Sequence, residues 1–436
     1  MKRFSVFLCA IVFMALQLLV ISDSPLQATA GSKPQPIPQT LFGLTTHWFS
    51  PWPLLKVAGL RLWGTGTNWT ELNPSQGVYD WTLLDQWLDA AKQGGATESI
   101  LTLAMTPQWA SSHPNDTKCH YGVGACDAPD DINPDGTGTD QHWKDFVTAV
   151  ANHVNGRVRY FELWNEPVNY YYWSGTFAQM VRMAKDAHTI VHNINPNNLM
   201  LSPPNGAHLP YGQHWWEAYA ALGGLNYADV IAFHGYITLP PYRCGKYPRA
   251  SALIGHVNDL RTILAKYNQL DKPIWDTESS FGGTTHDCFT DPDLQAAFVA
   301  QFYMFHWSLH IKRHYWFAYD DNDGALWDPR TGKLNAAGAA YSVVEQWMVG
   351  NSMTKDCSTG DNAIWTCSLS GPHGYVAEAV WDTNETCHRG TCGTKNYDVN
   401  STYTQYRTLD GQTFAIRNGQ VPIGARPILL ENHNRK

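Results

Sequence analysis

Two glutamates follow short apolar stretches of the chain at positions that suit acid–base chemistry. The first stretch ends in Glu162-Leu163-Trp164-Asn165-Glu166-Pro167 and the second in Trp275-Asp276-Thr277-Glu278-Ser279. Proline stops the hydrogen-bonded ladder of a sheet, so Glu166 is predicted to stand just beyond a strand. Two facing carboxyl groups can hydrolyse a glycosidic bond with retention: one protonates the leaving oxygen, and the other attacks the anomeric carbon from about 5–5.5 Å away. The predicted catalytic pair is Glu166 and Glu278.

Two neighbouring acids compete for these roles. Asp276 shares a strand face with Glu278, but Glu278 lies nearer the predicted strand end. Glu162 points the same way as Glu166 and lies deeper. For both competitors the favoured interpretation is a buried, hydrogen-bonded carboxyl group.

The elements that must position the two glutamates alternate between strands and helices. Strands are predicted over residues 41–45, 59–63, 99–104, 158–163, 199–202, 230–234, 273–276 and 314–318. Helical apolar faces are predicted between them, at 81–93, 177–190 and 251–267. Eight such units close into a (β/α)₈ TIM barrel, an α/β fold whose catalytic groups lie at the C-terminal ends of the strands. Strands four and seven then stand on roughly opposite sides of the mouth.

A C-terminal β-sandwich domain is predicted over residues 346–436, after a barrel over 31–345. Helical periodicity stops at about residue 346. Short stretches in which apolar and polar residues alternate follow, and the turns Asp410-Gly411 and Asn418-Gly419 separate some of them.

Residues 1–30 are predicted to be a signal peptide. Lys2 and Arg3 precede an apolar stretch over 4–21, and Ala28-Thr29-Ala30 is a cleavage site of the A-x-A type. A membrane anchor is the alternative. The expected location is secreted or periplasmic.

Composition and net charge limit the classes of binding partner that can be expected. The chain has 436 residues, of which 44% are hydrophobic, and a net charge of −8, so no nucleic-acid partner is expected. No membrane association is expected after signal cleavage, and the oligomeric state is not predicted. The 19 tryptophans suit either flat sugar-binding surfaces or a large core.

The number of cysteines is consistent with a protein that is exported and forms disulfides. Nine cysteines, less Cys9 in the apolar stretch, leave eight, which allow many disulfide connectivities. Pairing of sequence neighbours would join Cys119 to Cys126, Cys244 to Cys288, Cys357 to Cys367 and Cys387 to Cys392. A Cys244–Cys288 bridge would brace the wall beside Glu278. The sequence contains neither a C-x-x-C nor an H-E-x-x-H motif, either of which would indicate a zinc site.

The motifs resemble the retaining (β/α)₈ glycoside hydrolases of the 4/7 superfamily, clan A. Asn165-Glu166-Pro167 on strand four, Glu278 on strand seven, Phe233-His234-Gly235-Tyr236 at strand six and Trp316 at strand eight carry that resemblance. Arg61-Leu62-Trp63, with Gly77-Val78-Tyr79-Asp80-Trp81, is most similar to glycoside hydrolase family 39. The ending Gly424-Ala425-Arg426-Pro427 resembles the accessory domain beside such barrels.

The resemblance implies roles for individual residues. Glu166 would be the general acid/base, with a raised pKa, and Glu278 the ionised nucleophile. Asn165 would bind the sugar 2-hydroxyl. The other implied roles are orientation of Glu278 by Tyr236, lining of the wall by His234, stacking on the sugar by Trp316 and support of the nucleophile by Arg61.

Two further substrate-binding candidates come from position alone. His47 follows strand one and Trp109 follows strand three, so both are predicted to face the mouth. The chemistry requires no cofactor and no metal. The long loop over 111–141 is expected to block one end of the cleft and to favour exo action.

The expected substrate is a polysaccharide or oligosaccharide: a β-xyloside, an arabinose-containing glycan or an exopolysaccharide. Two alternatives stay open, a non-catalytic carbohydrate-binding protein on the same scaffold and a transglycosylase. The intact glutamate pair argues against the first.

Overall fold

The computed structural model describes residues 34–206, 210–237, 249–282, 289–321, 324–360, 362–388 and 390–434. Eight parallel strands form its central sheet, and nearly every residue in them is buried, as expected for strands covered on both faces. They are β1 (Phe42–Leu44), β2 (Gly59–Leu62), β3 (Glu98–Leu103), β4 (Tyr160–Leu163), β5 (Leu199–Leu201), β6 (Ile231–Phe233), β7 (Ile274–Ser279) and β8 (Ile311–Trp316).

The sheet curls into a barrel with β1 hydrogen-bonded to both β2 and β8. The strand order is β5-β4-β3-β2-β1-β8-β7-β6. Closure between β5 and β6 relies on a single parallel bridge, Leu201 to Val230, and on backbone hydrogen bonds beside it. Among the described strands, this β5–β6 seam is the one junction of the barrel that lacks a strand ladder.

The barrel interior is filled by large side chains. The Tyr315 ring lies against Gly43 and Gly59, where an added Cβ atom would come within 2.7 Å and 3.0 Å of it. Glycine at both positions is therefore needed for this close approach.

Helices cover the outside of the barrel. They are α1 (Trp69–Leu72), α2 (Thr82–Gln93), α3 (Gln141–His153), α4 (Phe177–Ile194), α5 (Pro210–Ala221), α6 (Leu253–Lys266), α7 (Pro292–Ser308) and α8 (Ala336–Met348). Short 3-10 helices occupy Gln39–Leu41, Gln108–Ala110, Gly224–Tyr227, Ala250–Ala252 and Pro372–Gly374. In α2 most of the predicted apolar face is buried, including Leu84 and Trp87, whereas Leu83 is exposed. The predicted (β/α)₈ barrel is confirmed.

Antiparallel strands follow the barrel. They are β9 (Trp327–Asp328), β10 (Lys333–Leu334), β11 (Ser352–Thr359), β12 (Ile364–Ser370), β13 (Val376–Asp382), β14 (Cys387–His388), β15 (Thr391–Cys392), β16 (Lys395–Asp398), β17 (Gln405–Arg407), β18 (Thr413–Ala415), β19 (Gln420–Ile423) and β20 (Ile428–Glu431). Six of them form one sheet in the order β11-β12-β13-β20-β17-β18, and β16 pairs with β19.

A β-sandwich results because the β16–β19 pair packs on one face of that sheet. Val421 and Ile423 of β19 form a buried cluster with Val380 of β13 and Leu430 of β20. The predicted C-terminal β-sandwich is confirmed. The limits set for the three segments, at residues 30 and 345, stay predictions.

Three of the neighbour disulfides are present, namely Cys119–Cys126, Cys357–Cys367 and Cys387–Cys392. Cys244, Cys288 and the predicted signal peptide lie outside the described residues. Within the described ranges, no helix has both the length and the apolar character needed to cross a membrane.

Candidate active site

Glu166 lies just after β4 on a strained turn. Trp164 and Glu166 both have positive φ, 61° and 39°. Non-glycine residues adopt this left-handed conformation at an energetic cost, and such strain is often found at functional sites. The turn buries Asn165 and keeps the Glu166 side chain partly open, at 23% exposure.

Glu278 is the last acidic residue of β7, and its side chain is 9% exposed. The competing Asp276 lies two residues deeper and is fully buried. Asp276 binds Nε2 of His306 at 2.8 Å and the backbone N–H of Gly235 at 3.1 Å. Only Glu278 of these two acids therefore reaches the mouth of the barrel.

Arg61, from β2, connects both glutamate strands. Its Nη1 donates to Oε2 of Glu278 at 2.7 Å, and its Nη2 donates to Oδ1 of Asn165 at 2.8 Å. Its Nε donates to Glu162 at 2.7 Å, deeper in the barrel. Arg61 is fully buried, so its charge acts on these carboxylates with little screening by water.

His234 lies between the two glutamates after β6. Its Nδ1 is 2.9 Å from Oε1 of Glu166 and 3.9 Å from Oε1 of Glu278. Tyr236 donates its hydroxyl to Glu278 at 3.1 Å. One carboxylate oxygen from each glutamate and a ring nitrogen of His234 all lie within 4.8 Å of one another.

The pKa shifts of the two glutamates differ from the expected pattern. Burial alone would raise the pKa of Glu166, but its hydrogen bond to His234 and the charges of His234 and Arg61 lower it below its usual range. Burial raises the pKa of Glu278, although His234 and Arg61 oppose the rise. The expected raised pKa of Glu166 is therefore not found.

An aromatic wall of three rings, Trp63, Tyr121 and Tyr172, stands beside the carboxylates. The Trp63 centroid lies 4.9 Å from that of Tyr121 and 5.9 Å from that of Tyr172. Burial, followed by the negative charge of Glu278, raises the pKa of Tyr121 above its usual range. Tyr121 belongs to the loop that the Cys119–Cys126 disulfide closes.

Comparisons with known proteins find similarity at the level of structure. No protein-family model matches the sequence, and no curated protein matches it. A family 39 glycoside hydrolase from the gut symbiont Bacteroides cellulosilyticus superposes with a TM-score of 0.62 at 16% identity, over 86% of this chain and 75% of that one.

Two other solved structures extend this result. A family 39 β-xylosidase from Caulobacter crescentus has a TM-score of 0.62 at 16% identity, over 92% of this chain and 97% of that one. A family 30 endoxylanase from Clostridium papyrosolvens has a TM-score of 0.55 at 14% identity, over 92% and 97%.

The chain has the fold of clan A glycoside hydrolases. The resemblance predicted from its motifs is thus confirmed for the fold, with family 39 structures among the matches. The roles of individual side chains stay predictions.

In this glycoside hydrolase fold, most of the predicted site residues converge. Glu166, Glu278, Asn165, Arg61, His234 and Tyr236 form one connected cluster of hydrogen bonds and close ion pairs. His47 stands at the edge of this cluster, where its Nδ1 lies 3.0 Å from Asp320. Asp320 raises the pKa of His47 against the lowering effect of burial, and Glu278 adds to the rise.

The two predicted tryptophans are placed differently. Trp316 is fully buried, packs on Phe281 and donates its Nε1 to the carbonyl of Gly324 at 2.7 Å. Trp109 donates to the carbonyl of Asn73 at 2.9 Å and lines a surface pocket of about 300 Å³ with His142. The structure brings neither ring into contact with the glutamate pair, and their roles as sugar-binding residues stay predictions.

Two residues of the site, Asn169 and Tyr121, were not predicted from the sequence. Asn169 donates to Oε2 of Glu166 at 2.9 Å across a tight turn, and Tyr121 reaches the site from the disulfide loop. Their spacing from the motifs carries no periodic signal. Glu166, His234 and Glu278 are also spaced to ligate a cation, but the guanidinium of Arg61 already neutralises charge there.

Proposed function

We propose that this protein is a retaining glycoside hydrolase that acts by double displacement. The observation that carries the proposal is the approach of the two carboxyl groups, whose oxygens lie within 4.8 Å. Retaining enzymes place their carboxyl groups about 5–5.5 Å apart, whereas inverting enzymes leave about 6.5–9.5 Å for a water molecule.

Glu278 is assigned as the nucleophile. Arg61 and Tyr236 each hold one of its two oxygens, and together they fix the side chain for attack on the anomeric carbon. The attack forms a covalent glycosyl ester on Glu278 and releases the leaving oxygen. The low exposure of Glu278 keeps bulk water away from this bond.

Glu166 is assigned as the acid and then the base. Its side chain is the more exposed of the two, so the leaving group and the incoming water can both reach it. The two carboxyl groups titrate as a coupled pair, and one shared proton serves the first step. Glu166 gives that proton to the leaving oxygen and becomes ionised, and it stays so because the esterified Glu278 no longer carries a negative charge. Glu166 then accepts a proton from the water that attacks the ester, which frees the sugar and restores Glu278.

We propose a β-linked glycan as the substrate, with a xyloside as the first candidate and arabinose-containing glycans or exopolysaccharides as further ones. Two of the matching structures are described as a β-xylosidase and an endoxylanase. The flat rings of the aromatic wall suit the apolar face of a sugar. The three disulfides support export to an oxidising compartment, the periplasm or the medium.

The test is hydrolysis of a panel of aryl glycosides and plant and bacterial polysaccharides by wild type, Glu166→Gln and Glu278→Gln. Glu217→Gln is the matched control, because Glu217 is an exposed glutamate paired with Lys266. We expect Glu278→Gln to lose more than about 10³-fold in kcat and Glu166→Gln about 10²–10⁴-fold. Equal cleavage by all four proteins would refute the two-carboxylate mechanism. Binding of a glycan without release of reducing ends would favour a non-catalytic binding protein.

A further inference from the structure

A second cluster of ligand-type side chains lies on the outside of the barrel, on α4. His188 and His192 are four residues apart, so both project from one face of this helix. Asp229, which precedes β6, faces them from the β5–β6 seam. The three side chains are 29%, 27% and 26% exposed, so solvent and dissolved ions can reach them.

The spacing of these three groups is wide for hydrogen bonds and close to that of metal ligands. Nε2 of His192 lies 3.3 Å from Oδ2 of Asp229, and Nε2 of His188 lies 3.7 Å from Oδ1. Charge-assisted hydrogen bonds are about 2.7–2.9 Å long. Ligand atoms held tetrahedrally at about 2.0–2.1 Å from a zinc ion are about 3.3 Å apart.

Contacts behind the cluster orient its ligand atoms. Nδ1 of His192 donates to the carbonyl oxygen of His188 at 2.9 Å. In a neutral ring this leaves the lone pair on Nε2, which faces the Asp229 carboxylate. A lone pair directed at a carboxylate is repulsive unless a proton or a metal cation lies between them. Asp229 is itself held by the backbone N–H of Met200 at 2.7 Å, and such outer hydrogen bonds are typical of metal ligands.

We propose that His188, His192 and Asp229 bind a divalent transition-metal ion of the zinc class, with a fourth position open to water. The proposal is independent of the proposed glycosidase activity. A bound ion would tie α4 to the segment before β6, beside the Leu201–Val230 bridge that closes the barrel. The ion would therefore strengthen the β5–β6 seam. Lys272 lies close enough for its charge to act on Asp229, so its positive charge would weaken binding of the ion. Its Nζ donates to the carbonyl of Leu225.

The test is titration of the chelator-treated, full-length protein with Zn²⁺ by calorimetry, and with Co²⁺ by its visible absorption. Wild type should bind one ion that is lost or weakened at least tenfold in both His188→Ala and His192→Ala. Zn²⁺ should also raise the thermal unfolding midpoint of wild type, and it should not raise that of either variant.

His153→Ala is the matched control. His153 is another half-exposed helical histidine beside an aspartate, Asp85, but there Arg157 occupies the place of a second ligand. This variant should bind Zn²⁺ as wild type does. The unfolding midpoint of each variant without metal checks that it folds. Equal Zn²⁺ binding by wild type, His188→Ala and His192→Ala, or no binding by wild type, would overturn the proposal.

Discussion

Arg61 is the residue on which the geometry of the glutamate pair depends. It is buried among Glu162, Asn165 and Glu278, and it links β2, β4 and β7. Removing one partner of a buried ion pair leaves the other charges uncompensated, at a cost of about 3–5 kcal/mol. Arg61→Met should therefore lower the free energy of unfolding by about that amount in a urea titration.

An exposed ion pair provides the control for Arg61. Arg330 pairs with Asp328, but the Arg330 side chain is 88% exposed. Arg330→Met should leave the free energy of unfolding unchanged within error, since solvent screens such pairs. Equal stability losses in the two variants would contradict a special role for Arg61.

His234 sets the ionisation of both glutamates because its ring contacts one and its charge acts on the other. His234→Gln removes the interaction that lowers the pKa of Glu166, and burial, which raises it, remains. The pKa of Glu278 also rises without the charge of His234. Both limbs of the pH profile of kcat/KM should therefore move to higher pH.

The measurement is kcat/KM against pH for wild type, His234→Gln and His153→Gln on the best panel substrate. The last variant, on a surface helix, should keep the wild-type profile. A shift of the basic limb to lower pH in His234→Gln would show that this histidine does not act on Glu166 as described.

Residues on the barrel strands or directly after them could be predicted from the sequence, and those further into the loops could not. Glu278 and Arg61 follow from strand alternation and from the rule that barrel strands carry function at their C-terminal ends. Asn169 reaches Glu166 only because the chain turns back after Pro167. Tyr121 depends on the path of a loop, which no periodicity encodes.

The disulfide loop is the element that places Tyr121 in the aromatic wall. Cys119 and Cys126 close a short loop whose bridge contributes about 2–3 kcal/mol by the chain-entropy account. Replacing both cysteines with serine frees Tyr121 to leave Trp63 and Tyr172. We expect KM to rise several-fold with a smaller change in kcat, because in the proposed mechanism this loop binds the sugar and takes no part in the reacting bond.

A second small disulfide loop gives a matched control for this change. Cys387 and Cys392 join β14 to β15 in the β-sandwich. Their double serine variant should lose a similar free energy of unfolding, about 2 kcal/mol, and keep the wild-type KM. An equal change of KM in both double variants would mean that KM responds to lost stability and not to the position of Tyr121 in the aromatic wall.

The start of α3 carries a buried acid with an unusual titration. Asp140 precedes the helix, is fully buried and has a positive φ of 51°. Burial, followed by the hydrogen bond and charge of Asp186, raises the pKa of Asp140 to about 9. The folded protein therefore keeps this proton at neutral pH, whereas the unfolded chain releases it, so stability falls as the pH rises between the two pKa values.

Asp140→Asn should stabilise the protein at neutral pH by on the order of a few kcal/mol, because asparagine is neutral and tolerates positive φ. The gain should disappear as the pH falls toward the ordinary aspartate range. Urea unfolding at several pH values measures it, with the exposed Asp89→Asn as the control. A destabilised Asp140→Asn at neutral pH would contradict a protonated carboxyl group.

All eight barrel strands were predictable as elements, but their bounds were less so. Fully buried parallel strands are continuous apolar stretches, which stand out in the sequence. Strand β8 begins at Ile311, three residues before its prediction. The charged residues Lys312 and Arg313 interrupt the apolar pattern there, and Arg313 pairs with Glu98 of β3 in the structure.

At the scale of the whole molecule, the barrel and the β-sandwich share a core through α7. This helix is buried on nearly all sides. Phe305 on it packs edge-on against Trp365 and Trp381 of the sandwich, at centroid distances of 4.8 Å and 5.7 Å. The sandwich therefore completes the burial of a barrel helix. The sequence predicts both domains, but not this interface, because α7 lacks a polar face from which its orientation could be inferred.

The central claim is that the two glutamates act together with retention, and proton NMR tests it most directly. The anomeric proton of the sugar first released from a β-linked panel substrate is followed before mutarotation. Double displacement through Glu278 predicts that the β-anomer appears first. First appearance of the α-anomer would mean inversion by a single displacement and would contradict the account.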